Sequence, residues 1–367
     1  GKTITNGFSQ TKWQGSSSIA YPKKNYTLKL YDDMDKKSKK KLQFGDWYAT
    51  NKFILKANYI DPTHSRNIVN ARLWRKIVKQ TGMNGVEFSK SKAAYPRFLN
   101  SPMQGSVDGF PVHVRINGKE QGLYTLNLDN NDELFGITKD DKNAVLFYSK
   151  VDSPATRFYD NSTLKLDGTD FSLDYPDEVT PEAIATVKAL IGETGMLGDQ
   201  YIGNADGFHL HLQNFIDYQL FVNALNDYDS GINNTGYVSY DGDYLFVTAY
   251  DMDSTWGLAE DGQGLKPLEG WVNGTSLTNA LFKKYPDKVY ARWHELRADL
   301  LKEENILQMF DDFRKSVGDY EYQVDADIWA DIPSRKFASY DQIESAVPTR
   351  LKWVDSYIET NFKPKTT

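Results

Sequence analysis

Hydrophobic and polar positions alternate with period two through much of the front of the chain. Tyr26, Leu28 and Leu30 interleave with Thr27, Lys29 and Tyr31, which predicts a strand with one apolar face and Lys29 on the other. Phe53 to Ala57 predicts a second short strand. Val112, Val114 and Ile116 alternate again, Asn117-Gly118 supplies a turn of positive φ, and Leu123 to Leu128 returns. Read as Asn117–Gln121, that loop is longer than the tightest hairpin. Ala144 to Tyr148 predicts another strand, and residues 150–178, with their Pro, Gly, Asp and Ser, read as a long connection. Elsewhere the period is helical. Residues 66–81 follow Ser65 as an N-cap, stop before Gly82, and carry Val69, Leu73 and Ile77 four apart. Thr180-Pro181-Glu182 starts a helix with cap, proline and acid in the favoured order. Leu212 to Leu225 is a second, apolar-rich helix. Tyr237 to Tyr240, Asp241-Gly242 and Tyr244 to Tyr250 form the clearest hairpin. Two later stripes, Ile306/Phe310/Phe313/Val317 and Val347/Leu351/Val354/Ile358, predict amphipathic helices.

These elements predict an α+β protein: a strand-rich part over 1–150, then a mostly helical part over 151–367 into which the 235–250 hairpin is set. No internal repeat and no Pro/Gly/Ser linker divides it. Apolar residues at 40 % and charged ones at 25 %, with 26 Gly and 13 Pro among 367, exclude a disordered tail or a collagen-like chain. No apolar run is long enough to span a membrane, and no signal peptide opens the sequence. The chain begins with Gly and reads as a fragment, which leaves room for an upstream segment. The net charge of −7 argues against nucleic acid as partner. The one basic block, Lys36 to Lys41, is expected to be a solvated loop tip. Without cysteine there is no disulfide frame and no thiolate metal site. That suits an extracellular or virion-associated protein as well as a cytosolic one.

Histidine is a poor source of metal ligands here: only His209 and His211 are close, two apart on an extended segment. No GxSxG, HExxH or GxxxxGK[ST] signature occurs. The carboxylates say more. A helix runs into Asn226-Asp227-Tyr228-Asp229-Ser230-Gly231-Ile232-Asn233-Asn234, the hairpin follows, and Tyr250-Asp251-Met252-Asp253 comes directly after it. A hairpin brings its two ends together, so Asp229 and Asn234 should meet Asp251 and Asp253. Hard divalent cations take such oxygen ligands together with phosphate oxygens. An Asp, an Asn five residues on, and then a second Asp is also the order of catalytic base and metal ligands in protein kinases. Asp-x-Asp by itself is weak, since Asp325-Ala326-Asp327 repeats it near the C-terminus.

From about Trp13 to about Phe362 the sequence resembles the CotH-type atypical kinases. The likeness runs through Gly15-Ser16-Ser17-Ser18, Tyr21-Pro22-Lys23-Lys24-Asn25-Tyr26, Ala57-Asn58-Tyr59-Ile60-Asp61, Ser65-Arg66-Asn67 and Gly122-Leu123-Tyr124. It is strongest at Tyr250-Asp251-Met252-Asp253 with Trp256-Gly257. The resemblance implies a diverged protein-kinase-like fold that uses ATP and Mg²⁺ or Mn²⁺ to phosphorylate protein Ser/Thr hydroxyls. It implies Asp229 as catalytic aspartate, with Asp227 as the fallback two residues away. Asn234, Asp251 and Asp253 become the metal ligands, and Lys29 the strand lysine on the α/β-phosphates, with Lys24 its nearest rival. Ser17, in the Gly/Ser loop, and Arg66 are implied as further phosphate contacts.

One departure stands out. Many members carry Glu after the Gly-x-Tyr strand, where this chain has Leu128. If that Glu orients the strand lysine, the alternative is a non-catalytic structural or glycan-adhesion module of a phage tail or cell surface, partnered by neighbouring subunits. A glycosyltransferase, in which Asp-x-Asp holds a metal and a nucleotide sugar, is a third reading, disfavoured because no alternating βαβ front is visible.

Overall fold

A computed structural model describes residues 3–15, 17–81, 94–160, 162–192 and 210–365. Two antiparallel sheets organise it. The first contains β1 (Phe8–Gln14), β2 (Asn25–Tyr31), β3 (Lys52–Lys56), β4 (Gly109–Ile116) and β5 (Lys119–Leu128), in the order β1-β2-β3-β5-β4. The second contains β6 (Val145–Ser149), β7 (Phe171–Tyr175), β8 (Thr235–Ser239) and β9 (Phe246–Ala249), in the order β7-β6-β8-β9. The helices are α1 (Arg66–Thr81), α2 (Ala94–Leu99), α3 (Pro181–Ile191), α4 (Leu212–Leu225), α5 (Ser276–Lys284), α6 (Pro286–Ala298), α7 (Glu303–Val317), α8 (Asp319–Ile328) and α9 (Tyr340–Phe362). The protein is therefore α+β, with strands concentrated toward the N-terminus. β6 ends just before residue 150 yet belongs to the second sheet, so that sheet draws on both parts of the chain.

Local chemistry explains the elements. Thr180 caps α3 by accepting from the Ala183 N–H, with Pro181 in the first turn. Asn117 and Gly118, at φ 52° and 77°, make a two-residue turn between β4 and β5, tighter than the loop read from the sequence. The register then shifts between Val114 and Arg115, which absorbs the difference. Two strands escape the sequence pattern. β1 is exposed along nearly its whole length and has no apolar face to announce it. β7 lies inside the stretch read as a connection, pairing Phe171 with Ser149 and Tyr175 with Leu146. The Lys36 to Lys41 block is exposed apart from the half-buried Lys40, as expected of a loop tip.

α4 runs through the middle of the main core. Every residue but Gln213 is buried, so its polar side chains must find partners. Asn214 donates to the Val247 carbonyl, Gln219 to the Val272 carbonyl, and Asn223 accepts from the Val272 N–H. These bonds pin α4 to β9 and to the 270s segment, fixing where the next residues emerge. His211 caps α4 by accepting from the Asn214 N–H; His209 lies outside the described residues. So does Gly82, expected to stop α1, which is helical as far as Thr81. No helix among the described residues is long and apolar enough to cross a membrane.

Candidate active site

The end of α4 sets the site. Asn226 adopts the left-handed conformation at φ 58° and closes the helix, its N–H bonding to the Asn223 and Val222 carbonyls. The chain enters a single 3₁₀ turn over Asp229–Gly231. Asp227 points inward: it is fully buried, one oxygen accepts from the Ser230 N–H at 3.0 Å, and Oδ2 has no partner among the described residues. Asp229 is fixed by amides from its own loop, accepting from Asn234 Nδ2 at 2.7 Å and Asn233 Nδ2 at 3.4 Å. Asn234 is again left-handed, at φ 52°, and leads into β8.

The far end of the hairpin returns to the same place, because Thr235 pairs with Ala249. Asp251 follows at φ 54°, a conformation that turns the chain sharply out of β9. α1 holds the turn: Asn67 Oδ1 accepts from the Met252 N–H, and Asn70 Nδ2 donates to the Met252 carbonyl and to Thr255 Oγ1. The fully buried Trp256 completes the anchorage, its backbone N–H on the Leu225 carbonyl and its indole N–H on Asn70.

Between these turns and the first sheet lies a cavity of about 700 Å³, lined by Gly15, Ser18, Lys56, Asp229, Asn234, Asp251 and Asp253 among others. Lys56, the last residue of β3, reaches Asp251 Oδ1 at 2.7 Å and Asp253 Oδ2 at 3.9 Å. Tyr21 and Tyr59 stack on the cavity wall, ring centroids 4.5 Å apart.

Charge in this region is unbalanced. Burial pushes the Asp227 carboxyl up to about 8. Burial, then the charge of Asp251, raises Asp229 and, more strongly, Asp253. Burial opposes the charge on Lys56, but Asp251 and Asp253 reverse that and hold the ammonium firmly protonated. Asp251 and Asp253 thus share Lys56, while Asp227 and Asp229 lie within electrostatic reach of Asp251. Asn233 Oδ1 and Asp227 Oδ2 add buried acceptors that nothing among the described residues satisfies. Such a donor set fits a hard divalent cation. Among the described residues no three His, Asp or Glu side chains are grouped so as to hold a metal ion by themselves, so a cation at Asp251, Asp253 and Asn234 would need phosphate oxygens as further ligands.

The structure brings together Asp229, Asn234, Asp251 and Asp253. It does not bring Lys29, Lys24 or Arg66 to them. Lys29 lies on the same face of β2 as Asn25, which lines the cavity, but four residues further along, roughly 13 Å at strand rise. There it sits opposite Lys52 and Gln10. Lys24 donates to the Ile19 carbonyl and lies over the Trp13 ring. Arg66 is fully buried and spends its guanidinium on Asp61, the Thr255 carbonyl and Gln342, so it anchors α1 to the acidic turn and to α9. The Ser17 side chain lies outside the described residues; its neighbours Gly15 and Ser18 line the cavity. Asp227 sits behind Asp229, away from the lining. The residue missed was Lys56. Its signal was position: it stands next to the end of the strand predicted over Phe53 to Ala57, immediately before Ala57-Asn58-Tyr59-Ile60-Asp61.

The family model described as CotH kinase protein matches residues 12–355. The chain belongs to the CotH kinase family. The match spans nearly the whole chain and both turns of the site. No curated protein matches it. Leu128 is 1 % exposed in the core, and Lys56 takes its counter-charges from Asp251 and Asp253.

Proposed function

We propose that this CotH family chain is an ATP- and Mg²⁺- or Mn²⁺-dependent phosphotransferase acting on protein Ser/Thr hydroxyls, with a kinase-like division of labour between its two sheets. The observation that carries the reading is the convergence of Lys56, Asp229, Asn234, Asp251 and Asp253 on one cavity. Asp251, Asp253 and Asn234 would hold a divalent cation, which when bound would neutralise phosphate charge. Lys56 offers its ammonium to the phosphates from the sheet side, where Gly15 and Ser18 add polar backbone. Asp229, oriented by Asn233 and Asn234, takes the proton of the acceptor hydroxyl as that oxygen bonds to the γ-phosphorus and the bond to the bridging oxygen breaks. Burial raises the affinity of Asp229 for that proton.

Leu128 does not turn the balance toward a non-catalytic module, because the lysine keeps two acidic partners without a glutamate at that position. Titration calorimetry with Mg·ATP tests the reading. The wild-type chain is expected to bind, and Asp251→Ala to lose metal-dependent binding while its melting temperature stays within a few degrees. An affinity unchanged in Asp251→Ala would overturn it.

A further inference from the structure

The edge of a sheet is a row of unpaired N–H and C=O groups, and soluble proteins guard it. The two sheets end in β1, β4, β7 and β9, and three of these edges are guarded. β4 carries Pro111 and the register shift between Val114 and Arg115; His113 and Arg115 are tied to Glu120, and His113 also to Glu321 on α8. On β9 the Asn214 side chain engages both backbone groups of Val247, and the His211 N–H takes the Leu245 carbonyl. On β7 the preceding turn folds back: the Phe171 N–H bonds to the Lys165 carbonyl, and Asp167 bridges to Ser172. β1 has none of these devices. It runs in unbroken register with β2 and without proline, and Lys12 is its only charge. Trp13 is 59 % exposed and Phe8 43 %. The direction of its backbone groups follows from β2. The Leu30 N–H bonds to the Asn51 carbonyl on the β3 side, so by alternation Asn25, Thr27, Lys29 and Tyr31 face β1. They engage Gln14, Lys12, Gln10 and Phe8. Ser9, Thr11 and Trp13 are left with their N–H and C=O groups pointing outward, where no strand among the described residues pairs with them.

We propose that β1 is a docking edge for β1 of a second copy of this chain, paired antiparallel about a twofold axis through Thr11. Of the symmetric registers, this one matches β1 over its whole length, Phe8 to Gln14. It sets Thr11 against Thr11, Ser9 against Trp13, Gln10 against Lys12 and Phe8 against Gln14. The outward-facing residues then meet one another, so each free N–H finds a free C=O. Charge selects the same register. An axis through Lys12 would also pair outward residues, but it would bring two ammonium groups together; an axis through Thr11 gives each Lys12 a glutamine instead. The threonine pair at the axis and the serine opposite Trp13 suit cross-strand packing. The contact is isologous and joins two five-stranded sheets into one continuous sheet. A single strand on each side makes a small interface, so the association is weak and reversible. Nothing in it depends on phosphotransfer.

Analytical ultracentrifugation of the whole chain provides the test. The wild type is expected to show monomer–dimer exchange at concentrations up to about 200 µM, the range a small interface calls for. Thr11→Lys sets two ammonium groups across the axis and should weaken the dimer about tenfold or more. Its circular dichroism should not change, because Thr11 is exposed. Gln10→Glu meets Lys12 of the other copy twice and should tighten the dimer about threefold. A wild type that stays monomeric throughout would overturn the proposal and leave the edge to a strand from another protein or from elsewhere in the same chain. A dimer that Thr11→Lys leaves intact would overturn it by placing the contact elsewhere. If Thr11→Lys does not fold, Gln10→Glu decides, and a dimer it fails to tighten counts against the register and the proposal.

Discussion

Two Asp-x-Asp segments in this chain meet opposite fates. Asp251-Met252-Asp253 borders a cavity where both carboxylates share Lys56, at 2.7 and 3.9 Å. Asp325-Ala326-Asp327, on α8, places Asp325 amid a surplus of donors. Asp325 accepts from Lys23 at 2.7 Å, Arg335 at 2.6 Å, the Leu123 N–H at 2.9 Å and His64 at 3.4 Å. Burial pushes the Asp325 carboxyl up, but His64 and Lys23 more than reverse it and hold it far below the usual range. Burial raises Asp227, Asp229 and Asp253 without such relief. The difference teaches that the motif carries no chemistry of its own. Carboxylates short of cations keep their acceptor capacity open, and a carboxylate saturated by the protein is a structural rivet. This rivet joins the two parts of the chain, since Lys23 and Leu123 come from the first sheet side and Asp325 from α8. It also explains Gly122: at φ 78°, a Cβ there would lie 2.5 Å from Asp325 Oδ1.

Removing the rivet should have the largest effect. Asp325→Ala leaves Lys23 and Arg335 with backbone carbonyls but no counter-charge, and breaking a buried pair from one side costs about 3–5 kcal/mol. Urea denaturation at pH 7 should show that loss. The pH dependence has a definite sign. The folded-state pKa of Asp325 lies far below the unfolded value near 3.9, so its contribution is complete above about pH 5 and is lost as pH falls from about 4 downward. The variant should therefore flatten the acid limb of the stability curve. A loss under about 1 kcal/mol would contradict the account of Asp325 as a saturated joint.

Asp227 should behave with the opposite sign. Its folded-state pKa, near 8, exceeds the unfolded value, so its contribution is complete below about pH 4 and lost as pH rises from there through 8. Asp227→Asn removes the titration while keeping an acceptor for the Ser230 N–H. The fall in stability between pH 5 and pH 8 should shrink by about 1–3 kcal/mol. An identical fall in both proteins would show that Asp227 is not the buried, unrelieved acid described.

How much of this was legible in the sequence follows from what each feature depends on. The meeting of Asp229 and Asn234 with Asp251 and Asp253 was legible, because a hairpin's ends must coincide and its strands were plain from their alternation. α4 was legible from its apolar run, Leu212 to Leu225, residue for residue. That Lys56 rather than Lys29 lines the cavity was not, since period two marks the face of β2 that Lys29 occupies without saying which end of which strand meets the cavity. β1 was invisible because an exposed strand has no apolar face, and β7 because five residues among Asp, Gly and Ser look like loop. The partnership of Lys23 with Asp325 joins residues 302 apart and leaves no local trace. Gly122, Lys23 and Arg335 carry a meaning only the assembled structure supplies.

The smallest expected effect isolates the second member of the α8 pair. Asp327 is exposed and accepts from Gln323 one turn earlier, at 2.8 Å. It stands in the last turn of α8, where a negative charge opposes the helix dipole. Its i−4 hydrogen bond and that unfavourable position are each worth a few tenths of a kcal/mol and act in opposite senses. Alanine is also the better helix former by about 0.5 kcal/mol. Asp327→Ala should thus shift stability by no more than about 0.5 kcal/mol, toward greater stability, by the same urea titration used for Asp325→Ala. Two aspartates separated by one residue would then differ roughly tenfold in their contribution. A loss of several kcal/mol at Asp327 would mean that the helix as a whole, rather than the charge-saturated Asp325, joins the two parts of the molecule.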